Sequence, residues 1–258
     1  VPSAAAFAFP TAASAAAVTP RLRSIDDLEA LLARAPHDER EAVRQLAPAW
    51  QVDPGDGDPC DTLPAHGVAC YRAHGGLALL RLLARPSVLA LRDAHDRPVY
   101  VVLAGLGRDD ATLVAGKSPL QVPLALLTTA WRGDFTTLWR PPAGYDKPLN
   151  EGASGPAVDA LAAQLSAQQG VAAPPPSKPF DATLKARVAS FQLAQGLAAD
   201  GIAGPTTLMQ INRASGVAEP WLAGVAPAAS APAAAAAPAA NPNAAQRTAT
   251  APAAVQPK

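Results

Sequence analysis

The side chains of this chain with the chemistry to act on a substrate are two cysteines, Cys60 and Cys70, and four histidines, His37, His66, His74 and His95. A thiol becomes a nucleophile when an imidazole takes its proton and a helix N-terminus or a cation lowers its pKa. Either cysteine could fill that role, or the two could pair with each other. There is no CxxC, and no histidine stands beside a cysteine at zinc-finger spacing, which argues against a metal site. No HxxxD and no paired glutamates offer a metal or glycosidase centre, and nothing in the pattern calls for a cofactor.

The elements that would position these groups change texture along the chain. Ser24 precedes IDDLEALLARA, with Asp26 and Asp27 in the first turn and Leu28, Leu31 and Leu32 on one side, which predicts a short capped helix. HDEREAVRQLAPAW predicts a second, ending near Pro48. GGLALLRLL reads as a helix. From about residue 86, PSVLALRD, RPVYVVLAGL, DATLVAG and SPLQVP are β-branched runs between Asp, Gly and Pro turn signals, which predict an antiparallel meander. LALLTTAW reads as a short helix and DFTTLWR as a last strand, before PPAGYDKP makes a linker. Beyond residue 150 three helical patterns follow, about 154–169, 181–195 and 205–214. Val158, Leu161 and Leu165 share one stripe, and Leu184, Val188 and Phe191 share the next.

Composition sets outer bounds. The 258 residues are 49% hydrophobic, but much of that is alanine, so they fit two small domains better than one large core. Lys plus Arg and Asp plus Glu both number 21, so no net field draws the chain onto a polyanion, and nucleic acid is not an expected partner. Residues 1–23 and 225–258 are Ala/Pro-rich and are expected to be disordered linker and spacer. The opening stretch is interrupted by Pro2 and Pro10 and lacks a charged leader, so it reads as linker rather than signal or anchor. Opening at Val1 rather than Met, the chain reads as a processed protein or a piece of a longer one.

Two resemblances sharpen this. The stretch GASGPAVDALAAQLSAQQG, followed by FDATLKARVASFQLAQGLAADGIAGPTTLMQI, resembles the peptidoglycan-binding domain of many cell-wall hydrolases. It departs from that pattern at Ala162, where a glutamine is usual. The physical reading agrees: Gly196 ends a helix, Asp200-Gly201 makes a tight turn, and Gly204-Pro205 launches the next helix. A wall ligand needs convergent polar groups beside an apolar floor, and the expected site residues are Gln192, Gln195, Asp200, Gly201, Thr206 and Thr207. Residues 50–142 resemble the papain-like peptidase domain that trims bacteriocin leaders, through WQVDPGDGDPC, the Gly76–Pro86 pattern and the closing WRGDFTTLW. The histidine of that family's central strand is missing from RPVYVVL, its place falling at Pro98 or Val99, and the four histidines are expected at the surface. With no general base, the catalytic residues are expected to be none. Cys60 and Cys70 then have a better use as a disulfide, worth about 3 kcal/mol for so short a loop.

The order of the two is similar to the periplasmic region of the general secretion pathway protein A (ExeA) family. The expected fold is α+β: a papain-like α+β domain at 24–142, a linker at 143–150, and a small three-helix peptidoglycan-binding domain at 151–224. The resemblance implies a periplasmic, non-catalytic fragment of an inner-membrane protein whose ATPase domain lies outside this chain. Its implied partners are peptidoglycan, the inner-membrane protein ExeB and, indirectly, the secretin, with an oligomer in the parent complex. The rival readings are a wall-targeted thiol peptidase or wall hydrolase, and an adaptor that no longer binds sugar. The helical domain is further expected to fold and bind without its neighbour.

Overall fold

A computed structural model describes residues 19–116 and 118–225, so the readings made for residues 1–18 and 226–258 lie outside the described residues. Helix α1 (Ile25–Leu32) starts at Ser24, whose hydroxyl accepts the Asp27 N–H while the Asp27 carboxylate accepts the Ser24 N–H. This reciprocal box satisfies donors that no helical carbonyl can reach. Helix α2 (Glu39–Leu46) is capped by Asp38 and lays Ala42, Val43 and Leu46 across the sheet. A short α3 (Pro59–Thr62) leads into strand β1 (Ala69–His74), and α4 (Leu77–Leu83) precedes β2 (Ser87–Arg92). Then come β3 (Pro98–Leu106), β4 (Asp110–Ala115), β5 (Ser118–Pro123), α5 (Leu124–Ala130) and β6 (Trp131–Trp139).

The six strands lie in the order β1-β6-β2-β3-β4-β5. The expected meander is present from β2 to β5, every neighbour antiparallel. Strand β6 does not extend it: the chain returns to slot β6 between β2 and β1. Strand β1 was not foreseen, because ACYRAH lacks the β-branched residues that mark the other strands. Alternation sorts the two faces: Leu89, Leu91, Val99, Val101 and Leu103 are fully buried on one, while Ala90, Arg92 and Tyr100 on the other stay partly open.

Two segments outside the meander close its edges. Pro20–Leu22, at the end of what reads as linker, runs along β5: the Gln121 N–H bonds the Pro20 carbonyl, and the Leu22 N–H bonds that of Gln121, both at 2.8 Å. At the other side, Ala223 fills the place beside β3 where β2 has ended, donating to the Ala104 carbonyl and accepting from Leu106 N–H. One row of neighbours therefore runs Ala223, Gly105, Thr112, Gln121, Arg21. Gly105 makes this possible, since a Cβ there would stand 3.0 Å from the Thr112 hydroxyl and 3.3 Å from the Ala223 carbonyl.

The three expected helices follow as α6 (Pro156–Gln168), α7 (Ala182–Ala194) and α8 (Pro205–Ala214). Val158, Leu161, Leu165, Leu184, Val188 and Phe191 are all buried, as their spacing requires. Residues Leu149 and Ala203 exchange both backbone hydrogen bonds and close the bundle.

Independence of this bundle is where the structure departs from expectation. Residues Thr207 to Asn212 of α8 are all buried, which happens when a helix is covered on every side. The Gln210 amide donates to the Leu82 carbonyl at 2.8 Å, and the Asn212 amide to the Arg140 carbonyl at 2.7 Å. Between the domains Arg85 and Glu219 form an ion pair, each with 0% of its side chain exposed. Arg85 also donates to the Leu83 and Met209 carbonyls, and Glu219 accepts the Arg140 backbone N–H. Burial pulls the Arg85 guanidinium below its usual pKa, and the Glu219 charge pushes it back. Trp221 roofs the pair, its ring centroid 5.7 Å from the Arg85 guanidinium and 5.2 Å from that of Arg213. The described residues consequently fall in one compact unit.

Glu219→Ala should destabilise the whole chain by about 3–5 kcal/mol in urea unfolding, because it strands a buried guanidinium. The double variant Arg85→Met, Glu219→Leu should recover most of that loss. A single-variant loss below about 1 kcal/mol, the range of surface pairs, would show that the junction does not depend on this contact.

Candidate functional site

The partly open face of the sheet forms one candidate. Arg72 of β1, Val88, Ala90 and Arg92 of β2, Tyr100 of β3 and Thr136 of β6 surround a cavity of about 430 Å3, with Glu39 at its rim. Glu39 is the first residue of α2, and its carboxylate accepts from the Arg72 Nε at 3.1 and 3.2 Å and from the Thr136 hydroxyl. Burial, then the nearby Glu39 charge, raise the Tyr100 pKa, so its phenol stays a neutral donor.

Cys60 and Cys70 are joined in a disulfide with Cα atoms 5.4 Å apart, tying α3 to β1. Arg72 Nη2 rests 3.5 Å from Cys60 Sγ. Strand β3 begins with Pro98 and Val99, the place at which the histidine was expected to be missing, and Val99 points to the buried face. His37, His66 and His95 are exposed, His37 with Nδ1 3.0 Å from the Pro98 carbonyl. His74 does meet a carboxylate, its Nδ1 3.0 Å from Asp134 Oδ1 across the β1–β6 ladder, but the two side chains are 71% and 60% exposed. Among the described residues no cluster of His, Cys, Asp or Glu could hold a metal ion.

The second candidate is the turn between α7 and α8. Here the structure brings four of the six expected residues together and turns most of them inward. Gln192, 2% exposed, donates to Asp200 Oδ1 at 2.8 Å, the Ile202 carbonyl at 3.0 Å and the Thr207 hydroxyl at 3.1 Å. Its carbonyl oxygen accepts the Gly201 N–H at 2.9 Å. Gly201 has φ +72°, and a Cβ there would strike Lys185 at 2.6 Å. Asp200 accepts the Ile202 N–H as well as Gln192, and these two bonds hold its carboxyl below its usual pKa. Thr206 is spoken for by the neighbouring domain, its hydroxyl 3.1 Å from that of Tyr71. Asp200 remains exposed and Gln195, the C-cap of α7, half-buried. The sequence string thus encodes a hydrogen-bonded scaffold with Asp200 and Gln195 at its surface.

Sequence reasoning passed over Glu39, Arg72 and Tyr100. For Arg72 and Tyr100 the signal was the alternation of polar and apolar residues in ACYRAH and RPVYVVL, legible only once both are known to be strands of one sheet, while Glu39 reads as an ordinary first-turn acid of α2.

Comparison with known proteins agrees with the two-part architecture. Residues 27–141 match the family described as GspA, peptidase C39-like domain, and residues 154–211 match the putative peptidoglycan binding domain. General secretion pathway protein A of Aeromonas hydrophila is 36% identical over 166 residues, covering 63% of this chain and 30% of that protein. A putative general secretion pathway protein A of Escherichia coli (strain K12) is 22% identical over 179 residues, 69% of this chain and 36% of that one. The chain thus spans about a third of the length of these relatives. A periplasmic domain of the EpsAB fusion protein of the Vibrio vulnificus type II secretion system superposes with a TM-score of 0.51 at 26% identity, over 74% of this chain and 84% of that one.

Gln192→Ala should leave the Gly201 N–H buried without an acceptor and lower stability by about 1–3 kcal/mol at unchanged helical content. Denaturant unfolding checks this. No change in midpoint would mean that the amide is a surface group free for a ligand.

Proposed function

Because the chain is homologous to general secretion pathway protein A and carries a GspA-type peptidase C39-like domain followed by a peptidoglycan-binding domain, we propose that it is a periplasmic, non-catalytic wall-binding module of a type II secretion system. The observation that carries this reading is the junction: a wall-binding bundle locked by a buried ion pair onto a peptidase-like domain whose two sulfurs are spent in a disulfide. A thiol peptidase that uses a wall domain only for targeting needs a free thiol and a base. Here the strand position for the base holds Pro98 and Val99. The peptidase-like domain serves instead as a rigid platform for the bundle.

On this reading the wall is met through the solvent-facing parts of the α7–α8 turn, Asp200 and Gln195, with Gln192, Gly201, Thr206 and Thr207 shaping it. The partner is a B-type secretion protein such as ExeB, a pairing supported by a relative that is itself an EpsAB fusion. The work done is to help the secretin assemble through the wall, with several copies in the parent complex. Weak sites gain avidity when several engage one polymer. Among the described residues no helix is long and apolar enough to cross a membrane.

The whole chain should co-sediment with purified sacculi, and should hydrolyse neither sacculi nor casein while remaining unlabelled by a thiol-directed epoxide inhibitor. A folded chain left wholly in the supernatant would replace the wall-binding reading with the adaptor one. Stoichiometric labelling of Cys60 or Cys70 with turnover would replace it with the peptidase one.

A further inference from the structure

The helical domain has a second concavity, away from the turn its sequence advertises. The loop from Gln169 to Asp181 crosses between α6 and α7 and leaves a cavity of about 50 Å3. Ala162 of α6 and Leu184 of α7, 5% and 7% exposed, give its walls an apolar side, and Lys178 and Arg187 line the rest with Asp181. The loop is tied down rather than draped. The Ser177 N–H bonds Asp159 Oδ1 at 2.8 Å, and Phe180, 1% exposed, exchanges backbone bonds with Gly152 and Ala153. The cavity is therefore formed before any ligand arrives.

Its electrostatics are one-sided. Asp181 is fully used, Oδ1 accepting the Leu184 N–H that caps α7 and Oδ2 pairing with Lys178 at 2.8 Å. Arg187 is held by neutral acceptors alone, Nε on the Gln169 carboxamide at 2.8 Å and Nη2 on the Ser166 hydroxyl at 3.1 Å. Its charge has no carboxylate partner, and Nη1 has no hydrogen-bond partner among the described residues. A guanidinium pinned at two nitrogens has already lost its rotamer freedom, so an incoming anion gains a charge-assisted bond at little further cost in order.

Size and chemistry together select the ligand. A water needs roughly 10–15 Å3 of such space, so about 50 Å3 takes a few heavy atoms, far short of a sugar ring. A group of that size with a negative charge and a small apolar face is the terminal alanine of an uncrosslinked stem peptide. The geometry points to this cavity as the site for that residue, the carboxylate toward Arg187 and the methyl on Ala162 and Leu184. The inference rests on the wall-binding reading and adds to it a specificity for free peptide ends. It also explains how the bundle can bind while docked. Thr206, Gln210 and Asn212 of α8 are bonded to the α+β domain, whereas the cavity's lining side chains make their hydrogen bonds within the helical domain. Ala162, whose side chain is a single methyl, is what leaves room.

The test uses the whole chain and two soluble probes: a disaccharide-tetrapeptide ending in D-alanine with a free carboxylate, and the same compound amidated at that carboxylate. Binding is followed by amide chemical shifts and calorimetry, beside sedimentation with sacculi. Amidation, and separately Arg187→Gln, should each weaken binding by about tenfold or more. Ala162→Leu, which fills the cavity without touching a charge, should abolish it. If Arg187→Gln alters the thermal midpoint, the amidated probe and Ala162→Leu decide alone. Equal affinity for acid and amide, or unchanged binding by Ala162→Leu, would overturn the cavity while leaving sacculus sedimentation, and so the wall-binding reading, in place. A wild-type chain that ignores sacculi and both probes would remove the two together.

Discussion

The buried pairing of Arg85 with Glu219 is the constraint on which the rest of the arrangement depends. Two ions removed from water are costly unless partners answer them. Here the answers come from both domains: carbonyls of Leu83 and Met209 for the two terminal nitrogens of the guanidinium, whose Nε has no hydrogen-bond partner among the described residues, and the Arg140 N–H and the Asn212 amide for the carboxylate. Satisfying them fixes where α8 lies, and α8 in turn fixes which surfaces of the bundle face outward. A buried ion pair adds less to stability than apolar packing of the same volume, but it tolerates few alternative geometries. Its value here is orientation.

That orientation gives the peptidase-like domain its place. In a thiol peptidase the sheet supports a moving proton between sulfur and imidazole. In this chain the same sheet carries a closed disulfide, a rim of Glu39, Arg72 and Thr136 bonded to one another, and an exposed His74–Asp134 pair. The fold has kept its strands and given their ends to other uses, among them the Tyr71 hydroxyl that meets Thr206 across the junction.

What was legible in the sequence follows the range of the physics. Helices α6 to α8 could be read because apolar periodicity and the Gly196, Gly201 and Gly204-Pro205 punctuation are local signals. The meander from β2 to β5 could be read for the same reason. The return of β6 to the middle of the sheet could not, since strand order is decided by pairings between distant residues. Arg85 and Glu219 stand 134 residues apart, one before a proline in a loop and the other in an unremarked GVAEPW. Gln192 shows the converse error. Its position was identified, but a polar residue in a turn reads equally as a ligand or as a scaffold, and only its four partners distinguish them.

The row Ala223, Gly105, Thr112, Gln121, Arg21 gives the molecule a mechanical character. The chain reaches the sheet at one end of this row and leaves at the other, four interstrand spacings or about 19 Å apart. From the Val225 side the first bonds to yield are those of Ala223 and Leu222, and the next residues drawn out are Trp221 and Glu219. A pull on that segment therefore draws on Leu222, a buried core residue, and then on the latch between the domains, so the edge of the sheet and the docking of the helical bundle are held by one short stretch of chain.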